Sequence, residues 1–407
     1  MQSPHTSPDW IWQRADWPRF NYREPDLIGM LGRARLAQGL LLGKARALGF
    51  ANLGNALLDI WSGEAQATAQ IEGEHLELAS VRSSVANKLG IDLGPSVAVP
   101  RAVSGLIDLM EDATRHWQQP LTDERLFSWQ AALFPTGRSG LSKITVGAFR
   151  SSVAPMQIVS GPIGREKVHY VAPPSSAVAD EMQAFLRWFE STQNGGIDGI
   201  LRAGIAHLWF ECIHPFEDGN GRVGRAITDM ALVQDMRQDV RIYSLSAQIL
   251  QDRDAYYTEL NRASRGGLDV TQWLQWFVAT FEQACVHAER IIDRTLEKHR
   301  FWLLHNADNL NDRQRKVINK LLDAGPGGFE GGLSASKYAS LTGVSRATAT
   351  RELADLAKPR MSADGNSVSP AIFSVTGAAR STRYYPNIPG WVPGTQNDNY
   401  KNEHGDG

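Results

Sequence analysis

This chain is short of cysteine, of long apolar runs and of net charge, and each shortage removes a class of protein. Cys212 and Cys285 are its two cysteines in 407 residues, too few for a disulfide framework or a multi-cysteine zinc site, and they suit a reducing compartment. No apolar run reaches the roughly 18 residues of a membrane-spanning candidate. The N-terminus, Met-Gln-Ser-Pro-His-Thr-Ser-Pro, lacks the basic and apolar blocks of a secretory signal, so a cytoplasmic location is expected. A formal net charge of -2 supplies no overall field for nucleic acid or a membrane surface. What the chain does have is 42% hydrophobic against 21% charged residues, a globular composition with enough length for two or three domains.

The densest chemistry lies between His214 and Arg225, read as His-Pro-Phe-Glu-Asp-Gly-Asn-Gly-Arg-Val-Gly-Arg. Pro215 turns His214 away from helical geometry, which puts the histidine in a loop. Gly219 and Gly221 let the backbone turn sharply and leave its N–H groups uncovered. Such a turn, leading into a helix N-terminus, is a concave site for anions and for phosphate above all. Arg222 and Arg225 are three apart and share a face of the following helix. Asp218 offers hard oxygens beside that cradle, where a magnesium ion bridging phosphates would sit. His214 is the group here able to take a proton near neutral pH. Together these residues point to phosphoryl or nucleotidyl transfer.

This string closely resembles the signature of the Fic family: a histidine, a phenylalanine, an acid, Gly-Asn-Gly-Arg and a second arginine. The resemblance implies a mostly α fold, a helical bundle with a β-hairpin flap, and transfer of AMP from ATP to a protein hydroxyl. On that reading ATP lies with its phosphates over Gly219, Asn220 and Gly221. Asn220 holds the α-phosphate, Arg222 and Arg225 hold the β- and γ-phosphates, magnesium sits on Asp218, and His214 is the general base. Phe216 reads as a packing anchor for the loop.

Upstream, residues 1 to 24 carry Trp10, Trp12, Trp17 and Phe20 and read as an extended arm packed on a helical body. Helical spacing predicts segments at 25–48, 52–71 and 76–89. Thr68-Ala-Gln-Ile-Glu72-Gly73 is, as local sequence, a helix end with a solvated glutamate. Beside the Fic resemblance it matches the family's inhibitory helix, and Val81-Arg-Ser-Ser resembles the family's N-terminal extension. The resemblance then makes Glu72 an inhibitory carboxylate, and the region 1–105 a helical unit that carries it.

The catalytic region is expected over 106–300. Met156–Ser160 and Lys167–Val171 read as a hairpin around Gly161, Pro162, Ile163 and Gly164, and in the family the equivalent flap aligns a target segment by main-chain pairing. Residues 200–213 form a strongly apolar helix that delivers His214 from a rigid support. His207 and Glu211 on it read as satisfied core or rim groups. The family places a Tyr-Tyr segment by the adenine pocket, which makes Tyr256 and Asn261 candidate nucleotide contacts. Residues 310–388 have a helix, tight turn, helix layout with strand-like segments. They resemble the winged-helix domain that follows some Fic domains, although the Met361–Pro370 insertion departs from its compact version. Arg346, Arg351 and Lys358 against Glu352 and Asp355 form a small positive excess rather than a basic stripe. DNA, a protein partner and homodimerisation therefore all stay open, and residues 389–407 read as a disordered polar tail.

The expected activity is protein adenylyltransferase, with ATP and magnesium, acting on a Ser, Thr or Tyr hydroxyl of an unidentified protein target and restrained by Glu72. The rival readings are a nucleotide-sensing winged-helix transcription regulator, or a Fic enzyme that uses another nucleotide or removes AMP.

Overall fold

In the computed structural model the described residues are 10–49, 53–95, 97–160, 167–238, 241–306, 308–325, 329, 331–361, 368–378 and 381–392. They divide into two compact units, 1–289 and 290–407.

The first unit is built of helices. They are α1 (Ile28–Leu48), α2 (Gly54–Ile71), α3 (Leu78–Leu89), α4 (Arg101–Arg115) and α5 (Asp123–Leu133), then two short hairpins, β1 (Arg138–Ser139) with β2 (Ser142–Lys143) and β3 (Gln157–Ser160) with β4 (Lys167–Val171). There follow α6 (Val178–Ser191), α7 (Gly199–Ile213), α8 (Asn220–Met236), α9 (Leu245–Gln251), α10 (Arg253–Arg265) and α11 (Thr271–Leu304), within which the division between the units falls. The helices expected at 25–48, 52–71 and 76–89 begin two or three residues late, α1 and α2 without a side-chain cap and α3 with one. Glu77 accepts the N–H groups of Ala79 and Ser80 at the start of α3.

The core centres on α7, every residue of which from Ile200 to Ile213 is buried. A helix apolar on all sides has no solvent face and must be wrapped by others. Asp198 caps it by accepting the Ile200 N–H at 2.9 Å. Gly204 lets α11 come close enough for the Trp273 indole to donate to its carbonyl at 2.8 Å, while a Cβ there would lie 2.9 Å from Leu274. Arg202 is tolerated inside because it donates to Phe189 O at 2.6 Å and Gln234 Oε1 at 2.9 Å with its guanidinium over the Phe189 ring. The consequence is a rigid rod that ends at His214.

The N-terminal arm packs on this body as its aromatic content suggests. Trp17 and Phe20 meet Trp209 edge to face, and the Trp17 indole donates to Glu181 at 2.8 Å. Helix α2 is tied down by buried polar contacts. Glu64 accepts from Ser244 Oγ at 2.8 Å, Ser246 N at 3.0 Å and the Ser246 hydroxyl, and the Trp61 indole donates to Arg241 O at 3.0 Å.

The second unit contains α12 (Asp312–Ala324), α13 (Ala335–Thr342), α14 (Arg346–Leu356) and two hairpins, β5 (Arg360–Met361) with β6 (Val368–Ser369) and β7 (Phe373–Thr376) with β8 (Arg383–Pro386). Its own core gathers Phe301, Ile318, Leu321, Leu333, Tyr338, Leu353, Ile372 and Phe373. Gly343, at φ 73°, closes the turn between α13 and α14, and Ser345 caps α14 through the Thr348 N–H. Among the described residues no helix is long and apolar enough to cross a membrane.

Candidate active site

His214 takes the C-cap position of α7 with φ 50° and ψ 61°, a left-handed conformation that non-glycine residues rarely adopt. Its N–H still closes the last turn on Phe210 O at 2.9 Å, but Pro215 ends the helix there. Arg150 holds this corner from outside. It donates to His214 O at 2.8 Å, Ile213 O at 3.2 Å and Pro173 O at 2.6 Å, and its N–H bonds Pro215 O at 2.9 Å. Phe216 is fully buried between Phe149 and Phe210, an anchor for the loop.

Gly219, at φ 91°, turns the chain into α8, which begins at Asn220. The first intrahelical bond runs from Val223 N to Gly219 O at 3.0 Å, so the amides of Asn220, Gly221 and Arg222 have no partner within the helix. A helix start with unpaired amides is the geometry expected of an anion cradle. The Asn220 side chain, however, is turned inward: its Oδ1 accepts Phe216 N–H at 2.9 Å and its Nδ2 donates to Phe216 O at 2.8 Å. It clamps the loop, and what it offers a phosphate is its backbone amide.

A cavity of about 550 Å³ opens over this loop, lined among others by Glu72, Glu211, His214, Tyr256 and Asn261. Burial first, and then the nearby Arg150 charge, depress His214 to a pKa of about 4, which leaves it a neutral proton acceptor across the physiological range. Glu211 is fully buried and pushed up to about 8, by burial and then by Glu72. Among the described residues its Oε1 and the His214 Nδ1 are both buried without a hydrogen-bond partner, and Glu211 Oε2 lies 3.8 Å from that nitrogen. The expectation of a satisfied Glu211 is therefore corrected: among the described residues no donor reaches its buried Oε1. His207 is satisfied as expected, with Nδ1 2.9 Å from Thr228 Oγ1 and Nε2 3.0 Å from the Tyr256 hydroxyl. The Thr228 hydroxyl already donates to Gly224 O at 2.7 Å, so Nδ1 carries the proton and Nε2 accepts from Tyr256.

Both arginines are occupied. Arg225 donates to Glu72 Oε1 at 2.7 Å, to Thr68 Oγ1 at 2.7 Å and to Thr68 O at 3.0 Å, and is itself buried. Burial would raise Glu72, yet the Arg225 charge, its hydrogen bond and then Arg222 bring its pKa below the ordinary carboxylate range. Gly221 permits the approach, because a Cβ there would collide with the Glu72 carboxylate. Arg222 donates to Glu74 at 3.0 Å, and its guanidinium lies over the Phe134 ring. The end of α2 and the residues just after it thus engage both arginines.

Asp218 lies on the rim, its side chain 39% exposed, with Oδ1 accepting the Gly219 N–H at 2.5 Å and Oδ2 bonded to the Ser139 hydroxyl. Among the described residues no group of three or more His, Cys, Asp or Glu could cage a metal ion. A single carboxylate at an anion cradle does fit magnesium, which takes one or two protein carboxylates and fills its remaining positions with phosphate oxygens and water.

Of the residues singled out from sequence, His214, Asp218 to Arg222, Arg225 and Glu72 meet at one site, with Tyr256 and Asn261 on the cavity wall. Gly161, Pro162, Ile163 and Gly164 fall outside the described residues. Glu74 and Arg150 went unrecognised, and Glu211 was read only as a satisfied core or rim group. Glu74 lies two residues past Glu72 and Glu211 three before His214, spacings that could have drawn attention to both. Nothing local marks Arg150.

The Fic/DOC family matches residues 120–232, and a domain of unknown function, DUF4172, matches residues 10–91. A probable protein adenylyltransferase of Aquifex aeolicus is 31% identical over 102 residues, 25% of this chain and 29% of that protein. The protein adenylyltransferase Fic of Drosophila mojavensis is 26% identical over 201 residues, 49% of this chain and 36% of that protein. The chain thus spans about a third of the length of these curated relatives. A Fic family protein from Desulfovibrio desulfuricans G20 shares the fold with a TM-score of 0.50 at 19% identity, over 90% of this chain and 97% of that one.

Proposed function

This chain carries a Fic/DOC family domain over residues 120–232, and from that premise we propose that it is a protein adenylyltransferase that moves AMP from ATP to a Ser, Thr or Tyr hydroxyl of a protein. One observation carries the reading: a histidine with its pKa depressed to about 4 sits at the mouth of a helix start with free amides and two arginines, in one cavity. His214 Nε2 takes the hydroxyl proton as the oxygen attacks the α-phosphorus. The bond from that phosphorus to the bridging oxygen breaks, and pyrophosphate leaves in line. General-base help of this kind contributes about 10²–10⁴-fold, and positioning supplies most of the rest. The amides of Asn220 to Arg222 receive the α-phosphate side, and Arg222 and Arg225 the leaving phosphates. Asp218 would hold magnesium, whose contribution when bound is to neutralise charge on the phosphates.

The same reading makes Glu72 an intramolecular inhibitor. Its carboxylate holds the guanidinium face that a γ-phosphate needs, and it places negative charge where that phosphate would lie. Residues 310–388 are proposed as a winged-helix domain, on the strength of the capped α13–α14 pair and the β7–β8 hairpin.

The test is incubation with α-labelled ATP and cell lysate. Glu72→Gly should label proteins markedly faster than wild type, and the Glu72→Gly/His214→Ala double variant should label none. Labelling by the double variant equal to that by Glu72→Gly would sink the assignment of the base. Equal rates in wild type and Glu72→Gly would sink the inhibition alone.

A further inference from the structure

Glu211 takes no part in the steps above, yet it lies one helical turn from the proposed base and beside it. It precedes His214 by three positions, so the two side chains leave the same face of α7. Among the described residues neither its buried Oε1 nor His214 Nδ1 has a hydrogen-bond partner, and Glu211 Oε2 lies 3.8 Å from that nitrogen. The charged and titratable groups that face it from other elements are Glu72 at the end of α2, Arg225 on α8 and Tyr256 on α10. The Tyr256 hydroxyl is spent on His207 Nε2 at 3.0 Å, and Arg225 donates to Glu72 and Thr68. Gly224 on α8 keeps the place open, since a Cβ there would lie 2.8 Å from Glu211 Oε1. Pro215 has no N–H, so the main-chain carbonyl of Glu211 lacks its helical donor. Against burial and the Arg150 charge, which depress the ring, that carbonyl favours a proton on His214.

We propose that Glu211 is a positioning residue whose carboxyl oxygen accepts the Nδ1–H of His214 as the ring takes the hydroxyl proton, holding Nε2 toward the target and supporting the imidazolium that forms. Nε2 can act as a base only while the ring proton sits on Nδ1, and the tautomer of an imidazole follows the bond its other nitrogen makes. Once the target proton reaches Nε2, the ring carries both protons and a positive charge inside the protein, which is costly without an acceptor. The Nδ1 proton stays on the ring throughout, and Glu211 gains none. Hydrogen bonds of this kind are often long before substrate binds and tighten in the reacting complex. Closing 3.8 Å to an ordinary bond takes side-chain movement of about 1 Å. A buried carboxyl oxygen without a donor also weighs against the fold, which a task in the reaction would explain. The effect on rate rests on the adenylyltransferase reading; the effect on the ring does not.

Two measurements on the full chain, in the Glu72→Gly background, test it. Glu211→Leu fills the same place without an acceptor, and Glu211→Gln keeps an oxygen that can accept. At saturating α-labelled ATP the leucine variant should label lysate proteins roughly tenfold more slowly or worse, while the glutamine variant stays within about threefold of its parent. The ATP concentration giving half the maximal rate should move by about twofold at most in both. A smaller loss with leucine overturns the assignment, and so does equal loss with both, which would make the requirement one of fit. A shifted half-saturation with an unchanged maximal rate also overturns it, because Glu211 would then act on ATP through Arg225. Nitrogen-15 spectra of the His214 imidazole, recorded without ATP, supply the second readout. They should place the proton on Nδ1 in the parent and in Glu211→Gln, and move part of the population to Nε2–H in Glu211→Leu. One tautomer in all three overturns the positioning role. Were the Glu72→Gly parent to label nothing, adenylyl transfer itself would have failed, and the spectra would still decide what Glu211 does to His214.

Discussion

At His214 one residue combines backbone strain and a shifted proton affinity. A left-handed non-glycine residue costs on the order of 1–3 kcal/mol and persists only where its surroundings over-determine it. Arg150 is that surrounding, and after burial its charge is the next cause that keeps the imidazole neutral. An imidazole with the ordinary pKa of about 6.5 would be roughly nine-tenths protonated at pH 5.5. One at about 4 stays free there, so labelling by Glu72→Gly should be nearly flat from pH 8 to about 5.5 in a rate profile at saturating ATP. A tenfold fall over that range would contradict the depressed value. Glu211 runs the other way. Its folded pKa of about 8 lies well above the unfolded carboxylate, so the native state holds a proton that the unfolded chain releases. Stability is then lost as pH rises from the ordinary carboxylate range, about 4.3, through about 8. Glu211→Gln keeps the shape without the charge, and thermal unfolding should find it more stable than its parent at pH 8.5 by about 2 °C or more, with the gain vanishing near pH 4.

On the proposed reading helix α2 is the element of control. Glu64 and Trp61 fasten its middle to the body, and its far end presents Thr68, Glu72 and then Glu74 to the two arginines. Because the fastening lies two turns before the contact, the carboxylate can leave while the helix stays docked. Glu72→Gly should raise initial labelling rates by roughly tenfold or more, since it removes a charge-assisted bond to a buried guanidinium. Glu74→Ala should raise them by about two- to threefold at most. Its side chain is 48% exposed and its bond to Arg222 correspondingly screened. A larger effect from Glu74 than from Glu72 would mean that Arg222, not Arg225, limits ATP.

How legible an element was follows from how local its cause is. The loop from His214 to Arg225 could be read directly, because proline, glycine and asparagine act on the backbone within a few residues. Helices α1 to α3 showed in their periodicity. The Glu72–Arg225 contact joins positions 153 apart, and only the resemblance to an inhibitory helix suggested it. Arg150 on His214 O spans 64 positions, and an arginine after Gly147-Ala-Phe carries no mark of what it will hold. The side chain of Asn220 was hidden for a related reason: its two bonds to Phe216 arise only once the loop has closed.

For the molecule as a whole, two units with separate cores should melt as separate events. On the proposed reading ATP binds within the first, so in calorimetry with magnesium and Glu72→Gly it should raise one midpoint, by an amount that grows with concentration, and leave the other in place. A common shift of both would mean that the units unfold together. The Glu72–Arg225 bond can finally be stated as a population. Binding that requires the arginine to be free is weakened by the fraction of time it is free, so an arginine released for about one part in a hundred raises the apparent Kd for ATP about a hundredfold. Because Glu72 belongs to the same chain, that fraction does not depend on protein concentration. It is set by one side-chain equilibrium, and any contact that draws the α2 end away from Arg225 would act as a gain control on the ATP response.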